Sequence, residues 1–238
     1  MTGPNMRACV LAIGQSNIAN YGAGREASAF GRVLYGNSYY KLADPVPGAS
    51  GELGSVWPRF AEQLRTSGRV SELILCMAAK GGTSVADWAT GPCRATVEAR
   101  VADMKAMGQI PTHVIYHQGE RDTHLDTGTA SYLESFGQLY QRVCVVFPGV
   151  PWIVCRASYR FGIVSGHVRA AQNQIPELYA NCRRGPDTDT FGPEYRRDNT
   201  HFNERGLTTF AGLLAEAVMQ SGAEPDQAGI ARGDDDKQ

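Results

Sequence analysis

Short apolar runs alternate along this chain with amphipathic stretches, and the two periods predict two kinds of element. Runs rich in β-branched and aliphatic residues mark strands at Arg7–Ile13, Glu72–Ala78, Thr112–His117 and Trp152–Ala157, with a weaker fifth near Leu178–Cys182. Leu73-Ile74-Leu75-Cys76-Met77-Ala78 is apolar at every position, which suits a strand covered on both faces. Helical spacing predicts helices over Trp57–Thr66, Cys93–Met107, Ala130–Val146, Val168–Leu178 and Glu204–Met219. In the third of these, Leu133, Phe136, Leu139, Tyr140 and Val143 recur at three- and four-residue steps. Asn203 is placed to cap the last helix, and Ser221-Gly222 to end it. Strands alternating with helices in this way predict an α/β fold, a central parallel sheet with helices on both faces.

Two stretches break the rhythm. From Ile18 to Val56 no helical period emerges, although Val33–Leu42 fits a hairpin. Connections of that length usually serve function, and this one is expected to shape the acceptor side of a site. From Ser221 onward the chain is polar and closes on Asp234-Asp235-Asp236-Lys237. The organisation expected is one domain over residues 1–220 followed by a disordered polar tail, 221–238.

Composition narrows the function classes. A chain of 238 residues that is 42% hydrophobic suffices for one α/β domain. A formal net charge of −1 offers no basic excess for nucleic acid and no polybasic anchor for a membrane, so neither partner is expected. Ala8–Ile13 resembles the apolar core of an export leader, but it runs straight into Gly14-Gln15-Ser16-Asn17 and reads better as a strand. No apolar stretch approaches the ~20 residues of a membrane span. A cytoplasmic location is expected, with nonclassical export or assembly into a virion as alternatives; the oligomeric state is left open. The six cysteines form no Cys-x-x-Cys pair, and Cys9, Cys76 and Cys155 fall inside predicted strands as buried free thiols. Neither a zinc site nor a disulfide framework is expected.

The chemistry lies in four short words: GQSN at 14–17, GGTS at 81–84, HQGE at 117–120 and DNTH at 198–201. Three of them directly follow predicted strands, and in open parallel sheets sites form outside the carboxyl ends of the strands. Ser16 is a candidate nucleophile, and its own backbone N–H can face an oxyanion. His201 is the candidate base, with Asp198 three residues before it to hold the imidazole tautomer. Gly82 can supply a second backbone N–H, and Gln118 a third donor from its side-chain amide. Each feature also has an ordinary structural reading: a turn serine, a surface Asp-x-x-His, a turn glycine, a buried amide that fastens a loop. His117 is a rival base beside the site, although no acid precedes it at comparable spacing. Glu120 and Asp122 suit loop bracing better than glycoside hydrolysis, which needs two carboxyls facing each other across a sugar. Trp88 is expected to pack beneath the Gly81–Ser84 loop.

Taken together, the words resemble the SGNH hydrolase superfamily, and within it the sialate O-acetylesterase-like carbohydrate esterases. GQSN resembles the first block, GGTSVADW the second, HQGERD the third and DNTHFNERG the last. Tyr40–Pro45 and Gly54–Ala61 resemble stretches between the first two, and the likeness runs from about Ala8 to Val218. It implies a flavodoxin-like three-layer α/β/α sandwich and cofactor-free, metal-free hydrolysis of acetyl esters on an O-acetylated sugar or glycan. It also implies Ser16, Asp198 and His201 as triad, with Ser16, Gly82 and Gln118 around the oxyanion. Two positions depart from the pattern: Ile18 stands where methionine is usual, and Gln118 where many relatives carry asparagine. An ordinary α/β-hydrolase is disfavoured, because Gly14–Ile18 lacks the final glycine of Gly-x-Ser-x-Gly. Two rival readings remain, a relative cleaving longer acyl esters or thioesters and a catalytically silent glycan-binding module.

Overall fold

The apolar runs pair edge to edge in a computed structural model that describes residues 6–221. The strands are β1 (Met6–Gly14), β2 (Ala27–Tyr35), β3 (Ser38–Ala43), β4 (Val70–Ala79), β5 (His113–His117), β6 (Trp152–Arg156) and β7 (Cys182–Asp187). They form one sheet in the order β3-β2-β4-β1-β5-β6-β7. All neighbours are parallel except the β2–β3 hairpin at one edge. From β4 to β7 the order is that of a flavodoxin-like sheet, and its winding reverses at β1, which has β4 on one side and β5 on the other. A crevice opens at the carboxyl ends of strands that flank such a point.

The sheet is buried on both faces, as the unbroken apolar runs require. Ala8, Val10 and Ala12 of β1 face one core with Leu73, Leu75 and Met77 of β4. Cys9, Leu11 and Ile13 face the other with Ile74, Cys76 and Ala78. The first core is covered by α1 (Trp57–Ser67) and α7 (Glu204–Ser221), which place Trp57, Phe60, Leu64, Leu207, Phe210 and Leu214 against it. Removing any one of these large side chains costs roughly 2–5 kcal/mol. The second core is covered by α2 (Val85–Ala89), α3 (Arg94–Ala106), α5 (Thr129–Cys144) and α6 (Gly166–Leu178). A short α4 (Glu120–Leu125) follows β5. The architecture is therefore the three-layer α/β/α sandwich. Among the described residues no helix is long and apolar enough to cross a membrane.

Four strands and five helices fall where the periodicity places them, within three residues at each end. The fifth strand does not. Leu178 ends α6, and the strand begins only at Cys182, with the sequence CRRGPD. Part of the Ile18–Val56 stretch, residues 27–43, is not an acceptor loop, because β2 and β3 form a hairpin that extends the sheet beyond β4. Asn203 does cap α7, its Oδ1 accepting from the Gly206 N–H at 3.0 Å, but the helix continues through Ser221. The rest of the expected tail, residues 222–238, lies outside the described residues. Cys9, Cys76 and Cys155 are buried in β1, β4 and β6, and burial pushes the Cys9 thiol up to about 11 and the Cys76 thiol to about 12.

Candidate active site

At the carboxyl end of β1 the chain must turn sharply without leaving β5. Gly14 allows this, because a Cβ there would stand 2.0 Å from the His117 carbonyl oxygen. Gln15 N–H then donates to that same oxygen at 3.3 Å, and Ser16–Ile18 close a single 3-10 turn. Ser16 sits at the start of this turn, so its N–H has no preceding turn to bond, and the residue lies beyond the carboxyl end of β1. After β4, Gly82 holds φ +73, a left-handed conformation that disfavours other residues, and no atom lies within 4 Å of where its Cβ would be. The N–H groups of Ser16 and Gly82 have no acceptor among the described residues.

The histidine comes from the loop before α7. Asp198 accepts three hydrogen bonds from this loop: from His201 Nδ1 at 2.7 Å, from the His201 N–H at 2.7 Å and from the Thr200 N–H at 3.1 Å. Burial raises the Asp198 pKa, but these bonds outweigh it and hold the carboxyl below its ordinary range. An ionised Asp198 can only accept, so the imidazole proton sits on Nδ1 and Nε2 is left as the basic nitrogen. Tyr21 stacks on a face of the ring, with centroids 5.4 Å apart and an interplanar angle of 19°.

Three clamps hold this loop, and the first ties it to the serine turn. Asn17, 4% exposed, accepts from the Phe202 N–H at 3.1 Å and donates to the Thr200 carbonyl at 3.2 Å, gripping the chain on both sides of His201. The same amide donates to Glu120 Oε1 at 2.8 Å, which ties the serine turn to α4. Arg196 donates to the carbonyls of Phe191, Thr188 and Thr200 from beneath the loop. Asn199, at φ +57, accepts from Tyr159 Oη at 2.6 Å and, through its carbonyl, from the Phe161 N–H at 3.0 Å. The segment after β6 is thereby fixed to the histidine loop.

The result is a cleft of about 220 Å³ lined by Gln15, Ser16, Tyr21, Gly81, Gly82, Glu120, Arg160, Phe161, Thr200 and His201. Ser16, Gly82 and His201, predicted from separate words of the sequence, meet here, with Asp198 behind the histidine. Ser16 Oγ and His201 Nε2 share the cleft without a direct hydrogen bond; in unliganded sites such bonds often tighten only when substrate binds. Arg160 and Phe161 form the rim, and Phe161 is 60% exposed with an unusual φ of +49.

Gln118 does not line this cleft, which corrects the expectation of a third oxyanion donor there. It is fully buried. Its Nε2 donates to the Thr83 carbonyl at 3.0 Å and to Asp122 Oδ2, while Oε1 accepts from the hydroxyls of Tyr116 and Tyr132, each at 3.1 Å. Both amide protons are occupied, and the residue fastens the second and third words together. His117 is also structural. It is buried against Phe202 and Phe210, its Nε2 meets Thr188 Oγ1 at 2.9 Å, and burial drives its pKa down to about 3.

The acids brace loops. Asp122 accepts from the Val85 N–H at 2.9 Å, and burial pushes Glu120 up to about 7. Trp88 is fully buried and donates to Thr83 Oγ1 at 2.9 Å, beneath the glycine loop. Sequence reasoning missed Gln15, Asn17, Tyr21, Arg160, Phe161 and Arg196. The first two lay inside the GQSN word, where only Ser16 drew notice. Arg160 and Phe161 follow a strand end, and Arg196 lies just before DNTH; no motif marks any of them.

Comparison with known proteins bears on the fold and the family. No curated protein matches the chain by sequence. Among solved structures, the chain is similar to a protein of Arabidopsis thaliana (17% identity, TM-score 0.70, covering 90% of this chain and 99% of that one). It is similar to NanS at 14% identity and TM-score 0.70, covering 92% and 98% of the two chains. It is also similar to a Parabacteroides merdae protein assigned as a GDSL-like lipase, at 14% identity and TM-score 0.62, covering 92% and 99%. At such identities these likenesses speak for the fold. The family model for carbohydrate esterases described as sialic acid-specific acetylesterases matches residues 49–220, well over half of the chain. By that match, this protein belongs to the sialic acid-specific acetylesterase family of carbohydrate esterases, on an SGNH hydrolase fold.

Proposed function

We propose that this protein removes acetyl groups from a carbohydrate through an acetyl-enzyme formed on Ser16. His201 Nε2 takes the Ser16 proton as Oγ attacks the ester carbonyl, and Asp198 stabilises the imidazolium that results. The oxyanion of the tetrahedral intermediate receives the N–H groups of Ser16 and Gly82. His201 then returns its proton to the departing sugar alcohol. Water, deprotonated by the same imidazole, releases acetate and regenerates the serine.

The observation that carries this reading is the convergence of Ser16, Gly82 and the Asp198-bound His201 on one small cleft. Its volume of about 220 Å³ favours a short acyl group over a long chain, since pockets for larger ligands run to about 300–1,000 Å³. The sugar would then lie at the rim, where Phe161 offers an apolar face and Arg160 a cation. Turnover of p-nitrophenyl acetate by wild type and Ser16→Ala tests the assignment. A loss of at least about 1,000-fold is expected, and equal turnover would refute it.

A further inference from the structure

We infer that the side-chain amide of Gln15 is the third oxyanion donor, in the place that sequence assigned to Gln118. The inference rests on Ser16 being the nucleophile. The orientation of an amide is decided by its partners. Gln15 Oε1 accepts from the backbone N–H of Arg121 at 3.2 Å and from that of Gly119 at 3.4 Å. Backbone N–H groups can only donate, so they must meet the oxygen, and the NH₂ group of Gln15 must face the other way.

That NH₂ group has no acceptor among the described residues, although Gln15 is only 2% exposed. Nor is its nitrogen among the unpartnered side-chain atoms sealed from solvent, so it is reachable from the cleft. Gln15 lines the cleft beside Ser16, Gly81 and Gly82. When the ester C=O opens to the tetrahedral intermediate, the negative oxygen is the acceptor that this nitrogen lacks. The two glutamines thus have complementary roles. Gln118 holds the loops, and Gln15 presents the free donor. A donor locked before the reaction needs no reorganisation as charge develops.

The discriminating variant is Gln15→Glu, which keeps an oxygen for the Gly119 and Arg121 N–H groups and replaces the NH₂ by a second oxygen. Acetyl-ester kcat is expected to fall about 100- to 1,000-fold, with KM changed less than about threefold and the melting temperature nearly unchanged. Turnover near the wild-type rate would overturn the inference. So would a loss of activity matched by loss of the folded state, if the structural test below also fails. That test uses the wild-type enzyme. In a crystal structure of its fluorophosphonate adduct, the phosphonyl oxygen is expected within about 2.7–3.1 Å of Gln15 Nε2. An oxygen bound instead by Gln118, or by backbone groups alone, would overturn the assignment. Ser16→Ala run beside these separates the two failures: if it retains activity the nucleophile is wrong, and if it is inactive while Gln15→Glu is active only the donor is wrong.

Discussion

The two ends of the central sheet carry concavities of opposite character. Before β5 and β6, at their amino ends, lies a groove of about 810 Å³ lined by Ile110, Pro111, Val145, Val146, Phe147 and Val150, with Lys105 its one ionisable neighbour. At the carboxyl ends of β1, β4 and β5 the cleft is about 220 Å³, yet it holds a serine, a histidine, a glutamate, an arginine and two loop glycines. The larger hollow has surface to offer but no set of polar groups converging on one point, only Lys105 and Gln109 among apolar neighbours. Volume and apolarity do not make a reaction site. Convergent polar groups with fixed orientation do.

The contrast can be broken at several points. Among the contacts that hold the site together, the largest effect is expected at Asn17→Ala, which releases the histidine loop from the serine turn. A misplacement of about 1 Å at a catalytic group costs on the order of 100-fold, so kcat should fall 10- to 100-fold with KM nearly constant. Steady-state assays with an acetyl ester check this, and an unaltered kcat would show that the clamp is irrelevant to catalysis.

A smaller effect, on stability, is expected at Glu120. Burial raises its pKa to about 7 from the ordinary 4.5, so between those values the folded state holds a proton that the unfolded chain has released. The contribution is fully present below pH 4.5 and is lost as pH rises through about 7. Glu120→Gln keeps an oxygen for Asn17 Nδ2 and removes the titration. Its melting temperature relative to wild type should therefore climb from pH 4.5 to 7, and a constant difference would contradict the burial argument. The smallest effect belongs to the opposite end. Ile110→Ser with Val145→Ser should change acetyl-ester turnover by less than about twofold, in keeping with exposed positions remote from the site.

Much of this was legible in the sequence, and the failures have physical causes. Buried central strands announce themselves because both faces demand apolar residues, as in Leu73–Ala78. An edge strand carries no such demand, so Cys182–Asp187, with Arg183 and Arg184 exposed, has little apolar signature. The apolar residues just before it belong instead to the end of α6. Of the site, Ser16, Gly82, His201 and Asp198 were readable because strand ends and loop words mark where chemistry can gather. Gln118 shows the limit. Residue type says that an amide is present, but only its neighbours decide whether its protons are free. Thr83 and Asp122 bind both protons of Gln118, while Gly119 and Arg121 engage the oxygen of Gln15 and leave its NH₂ without an acceptor among the described residues. Phe161 and Arg160 reach the rim through a bond from Phe161 to Asn199, a contact between distant segments that no local pattern encodes.

The central claim is that Ser16 and His201 act on one another, and covalent capture tests it most directly. A fluorophosphonate probe should modify Ser16 and no other residue, as located by peptide mass spectrometry. In His201→Ala the rate of modification should fall at least about 100-fold, the usual worth of a positioned general base. Modification of a different residue, or of Ser16 at an undiminished rate without His201, would contradict the account.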